Sequence, residues 1–324
     1  MSNLSQLKKR FSIGLTLGMK EEEYLKIIQD YREYIYEIYF SPPFGRQFHT
    51  RPQTAKIYES NENVEAFWRL LAVIKKVGIK LCMALNQIGL TRKQLIESIR
   101  IVKENQEIDS IVCLRIYAKE IKKNYPYIPL TVSYNDVIDR SSKVDLIKND
   151  IFDSIVLGRS SLRNFKLINY IKKKGFSTKH LLNNGCNFTC INCKSKGCYQ
   201  PDYKFELVNE LGKISIDEQY ALQTLMPWEF HEFGFIQSSD IDLFKISNRP
   251  SDYNYLDTLI RSYIYNLNYN EIKSEGNYNN PLIIWTRGNL LPPYINKMNY
   301  NNIENLKQKI WLDCSMQSFG RKNG

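Results

Sequence analysis

The sequence predicts an α/β chain folded as a (β/α)8 TIM-like barrel with a C-terminal extension. Three observations predict it. Short apolar or β-branched runs alternate along the chain with amphipathic stretches of helical period. Counted along the chain, the alternation makes eight strand-then-helix units, the pattern of a parallel sheet closed on itself. The 324 residues, 43% hydrophobic and 24% charged, are enough to bury one large core of this size. An open doubly wound sheet is the structural alternative.

The elements follow in order. Phe11 to Leu17 reads as the first strand, ended by Gly18, and Lys20 to Tyr34 as a helix with Leu25, Ile28 and Tyr31 on one face. Ile35 to Ser41 is the second strand, stopped by Pro42-Pro43, and Tyr34, Tyr36, Tyr39 and Phe40 read as a core stripe. A polar loop with Arg46, His49 and Arg51 leads to a helix over Asn63 to Val77 and a strand over Ile79 to Asn86. Arg92 to Glu104, Ala118 to Asn124, Ser141 to Lys148 and Leu162 to Lys174 read as helices, the last closed by Gly175. The strands between them are Ser110 to Ile116, Pro129 to Tyr134, Asp153 to Gly158 and Thr178 to Leu182. Asp242 to Ile246 is the eighth strand and Tyr253 to Asn266 its helix. The barrel therefore spans residues 1–267, with an insertion at about 199–235 that fits neither pattern. Residues 268–324 form an extension packed on the barrel. No internal repeat stands out in the sequence.

The net charge of +11 permits nucleic acid, phosphorylated substrates or an anionic surface as partners, and equally permits a solvated lysine-rich face. No like-charged run exceeds the length of Lys172-Lys173-Lys174, so there is no basic tail. No apolar stretch reaches the roughly 18–20 residues of a membrane span. The 7 cysteines are an odd number, and Met1 to Arg10 is polar; together these point to a reducing cytoplasm, not a secreted disulfide scaffold.

Four of those cysteines, Cys186, Cys190, Cys193 and Cys198, fall in one short window with the spacing CX3CX2CX4C. Thiolates this close can wrap one small ion or cluster, and they are soft donors that suit iron–sulfur clusters and zinc. Gly185 and Gly197 flank the window and let the backbone bend around a metal. Structural zinc sites usually show two knuckles separated by a longer gap, so the single run favours an iron–sulfur cluster, with zinc as the alternative. The window directly follows the seventh strand, and in such barrels the loops after the strands form the active face.

Other candidates share that face. Arg46, Arg51, Asn86 and Asn184 are placed to bind substrate. Arg159 and Arg249 follow the sixth and eighth strands, where they can clamp a carboxylate or phosphate, and His49 can move a proton. Asn135 and Asp136 follow the fifth strand, and Asn183 ends the seventh. His180 and His231 read as packing or surface residues. Cys82 and Cys113 read as buried core thiols, and Cys314 has no evident partner.

Three stretches carry a family resemblance. They are Tyr36-Glu37-Ile38-Tyr39-Phe40, the run from Leu181 to Cys190 with its Asn184-Gly185-Cys186 turn, and Met226-Pro227-Trp228-Glu229-Phe230 leading to the run from Asp242 to Arg249. Through them the chain resembles the peptidase U32-like barrel proteins, which are associated with iron–sulfur clusters and oxygen-independent hydroxylation. The resemblance implies a (β/α) barrel, a [4Fe-4S] cluster, an electron donor, and a substrate that is a small molecule or RNA, since known members modify RNA bases or quinone precursors. The stricter peptidase-type signature is missing. Some relatives draw one ligand from an earlier strand, which makes Cys82 or Cys113 an alternative to Cys198. CX3CX2C is also similar to the motif of radical S-adenosylmethionine enzymes, where it normally follows the first strand; that reading brings S-adenosylmethionine as cofactor. A zinc-stabilised binding protein is the third alternative.

Overall fold

The computed structural model describes residues 4–15, 19–43, 59–87, 89–136, 138–158, 161, 164–183, 225–246 and 252–274. Eight parallel strands close in sequence order, with the last paired to the first. They are β1 Phe11–Gly14, β2 Ile35–Phe40, β3 Lys80–Leu85, β4 Ser110–Cys113, β5 Leu130–Val132, β6 Ser154–Leu157, β7 Ser177–Leu181 and β8 Leu243–Ile246. The described helices are α1 Glu21–Asp30, α2 Asn61–Lys76, α3 Arg92–Asn105, α4 Arg115–Asn124, α5 Ser141–Val144, α6 Phe165–Lys173, α7 Pro227–Glu232, α8 Tyr253–Tyr265 and α9 Tyr269–Ser274. This is a (β/α)8 TIM barrel.

Every strand expected from the sequence is present, and the differences lie at the ends. The run Ser110 to Ile116 splits: β4 stops at Cys113 and Arg115 opens α4, because the Asp136 carboxylate accepts the Arg115 backbone N–H at 2.8 Å. Helix α6 starts at Phe165 because the Asn164 side chain accepts the N–H of Leu167 at 2.9 Å and caps it there. The helix expected to run to Lys148 is the single turn of α5. Within the stretch read as an insertion, α7 packs Phe230 edge-on against Phe244 at 4.6 Å, and Phe230 is fully buried. Among the described residues, no helix is long and apolar enough to cross a membrane.

Register determines what each strand turns inward. Partners followed from Ser12 around the sheet return to Ser12 after four steps of two residues, from Glu37 to Tyr39, Ser110 to Val112, Ser154 to Val156 and Leu243 to Lys245. The shear is therefore eight, as in other barrels of this class. Side chains alternate across a strand, so the interior is built in levels of four. From the N-terminal side upward, these levels are Glu37, Ser110, Ser154 and Leu243; then Ser12, Cys82, Thr131 and Lys179; then Tyr39, Val112, Val156 and Lys245; then Gly14, Ala84, Ser133 and Leu181.

The apolar contacts agree with that assignment. Tyr39, Cys82, Val112, Val156 and Leu181 form a small cluster of their own inside the barrel. The large cluster lies between sheet and helices and holds Phe11, Ile13, Ile38, Phe40, Leu81, Met83, Cys113 and Ile246. The expected aromatic stripe on β2 is thus divided between both faces: Tyr39 points in, Phe40 points out, and Tyr36 is half-buried beneath the Lys80 ammonium.

Two junctions at opposite sides of the barrel share one local design. Gly78 and Gly175 both take a positive φ, +79° and +87°, which turns the end of α2 into β3 and the end of α6 into β7. In the first, Lys75 reaches Asp109 at 2.9 Å, and that carboxylate accepts the N–H of Leu81 at 2.8 Å. In the second, Lys172 reaches Asp242 at 2.9 Å, and that carboxylate accepts the N–H of Thr178 at 2.7 Å. The sequence offered no repeat here because the matched residues are few and scattered: a Lys, a Gly, one strand residue held by its backbone N–H and a distant Asp.

Candidate functional site

The C-terminal rim is where the sequence located its candidates. Asn86 directly follows β3 and is half-buried; its carbonyl accepts a hydrogen bond from the Asn135 side chain at 3.1 Å, which ties the rim after β3 to the rim after β5. Asp136, beside it, is raised above the ordinary aspartate value by burial, opposed by the Arg115 N–H and guanidinium. Asn183, just past β7, is buried. The other candidates, Arg46, His49, Arg51, Arg159, Asn184, Arg249, Cys186, Cys190, Cys193 and Cys198, lie outside the described residues, as does Cys314. Among the described residues, no three His, Cys, Asp or Glu side chains gather closely enough to hold a metal.

The two strand thiols are both buried and free, as read from the sequence, and they stand on opposite sides of the sheet. Cys113 belongs to the layer between sheet and helices. Cys82 faces the barrel interior, 3.9 Å from the Lys179 ammonium. Burial pushes both thiols above the ordinary cysteine value. His180 is a packing residue, fully buried and edge-on to Phe235 at 5.7 Å. His231 donates its Nε2–H to the Tyr263 carbonyl at 2.7 Å, and burial lowers its pKa against that contact.

The interior holds what sequence reasoning missed. Glu37 and Lys179 form an ion pair with both carboxylate oxygens 2.8 Å from the ammonium, at 2% and 7% exposure. Ser12 adds a hydroxyl donor to Glu37 at 2.7 Å. Burial alone would raise the Glu37 carboxyl, but the charge and hydrogen bond of Lys179, the Ser12 hydroxyl and the Lys245 charge outweigh it and hold Glu37 below its ordinary value. Burial would lower Lys179; the opposing charges of Cys82 and Glu37 raise it instead. Cys82 is a neutral thiol at neutral pH, so Glu37 is the charge that keeps Lys179 an ammonium. Lys245, 6% exposed, lies with its nitrogen 3.5 Å from the centre of the Tyr39 ring. The signal that could have found these groups is a lone charge in the middle of a short apolar strand, as in Ile-Tyr-Glu-Ile-Tyr-Phe and Leu-Phe-Lys-Ile.

With that geometry in hand, comparison with known proteins adds the following. No protein-family profile matches the chain. No curated protein matches it either. Among solved structures it is similar to the U32 peptidase Mk0906, at 11% identity over 75% of this chain and 94% of that one, with a TM-score of 0.47. It is also similar to deoxyribose phosphate aldolase from Aeropyrum pernix, at 13% identity over 55% of this chain and 78% of that one, with a TM-score of 0.40. A third is the dipeptide epimerase from Enterococcus faecalis V583, at 15% identity over 54% of this chain and 48% of that one, with a TM-score of 0.35. The match thus spans just under half of that enzyme's length. At these identities the likeness is one of fold, and the barrel itself is defined by the strand pairing described above.

Proposed function

We propose that the chain is an iron–sulfur-dependent redox enzyme of the hydroxylase-like kind, acting on an anionic small molecule or nucleic acid. One conjunction carries this reading: four thiols spaced CX3CX2CX4C follow β7, and β7 ends on the C-terminal rim, where barrels of this class do their chemistry. Four thiolates are a donor set that fits a [4Fe-4S] cluster, held by Cys186, Cys190, Cys193 and Cys198. Such a cluster, when bound, supplies one-electron transfer and so calls for an external electron donor. The chain's own part is binding and orientation. Arg46, Arg159 and Arg249 are suited to clamp a carboxylate or phosphate, Arg51, Asn86 and Asn184 to hydrogen-bond the substrate, and His49 to carry a proton. Motif position separates this reading from a radical S-adenosylmethionine enzyme. In that class the motif normally follows the first strand; here the segment after β1 carries no cysteine before β2, and the motif follows the seventh of eight strands.

The test is anaerobic metal and sulfide analysis of the wild-type chain beside Cys190→Ala. The wild type is expected to be brown, with iron, acid-labile sulfide and absorbance at about 400 nm. Cys190→Ala is expected to lose the metal while its barrel still unfolds cooperatively, since the ion pair and core described above draw on none of those four cysteines. A colourless protein with stoichiometric zinc would overturn the reading in favour of a zinc-stabilised binding protein.

A further inference from the structure

Three consecutive turns on the N-terminal face form one connected surface. They lead from α4 into β5, from α5 into β6 and from α6 into β7. The Leu130 N–H donates to the Asp153 carboxylate at 2.9 Å and ties the first turn to the second. The Asn149 side chain donates to the Lys174 carbonyl at 2.6 Å and ties the second to the third. The first turn is stiff. Pro126 follows Tyr125 in a turn closed by the Ile128 N–H on the Tyr125 carbonyl at 3.3 Å, and the Lys122 ammonium donates to the Pro126 and Ile128 carbonyls at 3.2 and 2.9 Å. The side chain this turn presents is Tyr127, 96% exposed. In the second turn, buried Val144 and Ile147 hold Leu146 outward between them, 69% exposed.

Charge on this surface is one-sided. Lys123, Lys148 and Lys173 are exposed and form no ion pair among the described residues. Asp145 is taken by Lys174 at 2.8 Å and by the Tyr170 hydroxyl at 2.7 Å, and Asp153 by the Leu130 N–H. Asp150 is the exposed carboxylate that these contacts leave over. Basic residues in a last helical turn answer the helix dipole, which accounts for Lys123 and Lys173. It does not account for Lys148, which lies outside the helices, or for two apolar side chains held in water on the same surface.

The chemistry selects among partners. A second copy in a two-fold contact would set lysines against lysines. Single-stranded nucleic acid would need several open rings, yet Tyr125 and Tyr170 are half-buried with the Lys103 and Lys174 ammonium groups over them. Tyr127 alone would stack, and Leu146 would have no role. An anionic bilayer uses every group: a tyrosine seats at headgroup level, a leucine reaches the acyl boundary, and lysines are drawn to acidic headgroups.

We propose that this sector of the N-terminal face docks on an anionic lipid bilayer, with Tyr127 and Leu146 entering the headgroup layer and Lys123, Lys148 and Lys173 over the lipid phosphates. The strands run away from this face, so docking leaves the C-terminal rim turned to solvent. The proposal does not rest on the metal.

The experiment is co-sedimentation of the anaerobically purified full chain with phosphatidylcholine vesicles, with and without phosphatidylserine. Binding is expected only with phosphatidylserine and should weaken as salt rises. The triple variant Lys123→Gln, Lys148→Gln, Lys173→Gln should bind roughly a hundredfold more weakly, and Tyr127→Ser with Leu146→Ser roughly tenfold or more. Two controls lie at the other end of the barrel. Lys20→Gln, Lys93→Gln, Lys166→Gln removes the same charge from exposed positions where α1, α3 and α6 begin, and Ile116→Ser removes an apolar side chain 71% exposed in the first turn of α4. Both should bind as the wild type does. In Tyr127→Trp, tryptophan emission should shift to the blue on adding phosphatidylserine vesicles, with no such shift in Ile116→Trp. No sedimentation, equal sedimentation with neutral vesicles, or an equal loss in the control triple overturns the proposal. So does a chain that ignores vesicles but binds single-stranded RNA, or self-associates, through Tyr127. All these variants keep the four clustered cysteines, so iron content reports on the cluster separately from the outcome here.

Discussion

The junctions α2–β3 and α6–β7 are alike below the barrel and unlike inside it. Both turn through a left-handed glycine, both send a lysine to the aspartate that precedes the next strand, and both let that aspartate hold the incoming strand by its backbone. One step further along the strand they diverge. β3 turns Cys82 inward, a small neutral thiol, whereas β7 turns Lys179 inward to meet Glu37. Beyond the barrel they diverge again: β3 passes through Asn86 and Gln87 towards the nearby cap of α3 at Thr91, while β7 passes through Asn183 into the stretch that carries four cysteines. The N-terminal side repeats a mechanical device, and the C-terminal side is free to differ, which is how this architecture separates stability from chemistry.

The comparison can be broken most forcefully from the inside. Glu37→Gln should leave the Lys179 ammonium buried without its counter-charge and cost about 3–5 kcal/mol in urea unfolding, whereas Cys82→Ala should cost far less. Adding Lys179→Met to Glu37→Gln should recover much of the loss, because it removes the unpaired ammonium and a neutral amide costs less to bury than a charge. The gap between wild type and Glu37→Gln should depend on pH in one direction. Glu37 is held below its ordinary value of 4.5, so its stabilisation is complete above that value and disappears as pH falls through the lower folded value. A gap that stays constant on acidification would contradict the ion-pair account.

The shared device can be tested on both sides at once. Asp109→Ala and Asp242→Ala should each cost roughly 1–3 kcal/mol, from a backbone N–H that loses its charged acceptor, and the two costs should agree within about 1 kcal/mol. The smallest effect should come from the turns. Gly78→Ala and Gly175→Ala should each cost about 1–2 kcal/mol through the backbone alone, since a Cβ at Gly78 meets nothing within 4 Å and one at Gly175 meets only the Asn149 side chain at 3.8 Å. Thermal melts showing unequal costs at the matched positions would dissolve the parallel between the two junctions.

Strand order and barrel closure were legible because each strand announces itself locally, by a short apolar run bounded by a turn. Asn86 at the end of β3 was legible for the same reason. The burial of Cys82 and Cys113 could be read from their apolar surroundings, but their separation to opposite faces depends on register, which a single strand does not reveal. The Glu37–Lys179 pair was illegible for a different reason. Its partners are 142 residues apart, and nothing in either strand says which residue across the interior will answer it. Lys245 was read as part of a family-like ending, and its seat on Tyr39 emerges only when β8 closes beside β1 and the Tyr39 hydroxyl reaches Ile246.

That closing seam has a consequence for how the chain is made. Arg10, just ahead of β1, donates to the backbone carbonyls of Ile236 and Ile241 and lies over the Phe244 ring, so the start of the sheet is held by residues 226 or more positions later. During translation at ordinary elongation rates, β1 must wait on the order of ten to forty-five seconds for that partner to leave the ribosome. Throughout the wait its outer edge offers unpaired amide groups to any passing strand. A nascent chain arrested before Ile236 should therefore be a substrate for chaperones or a seed for aggregates, while one released a few dozen residues later can shut the ring and lose that hazard.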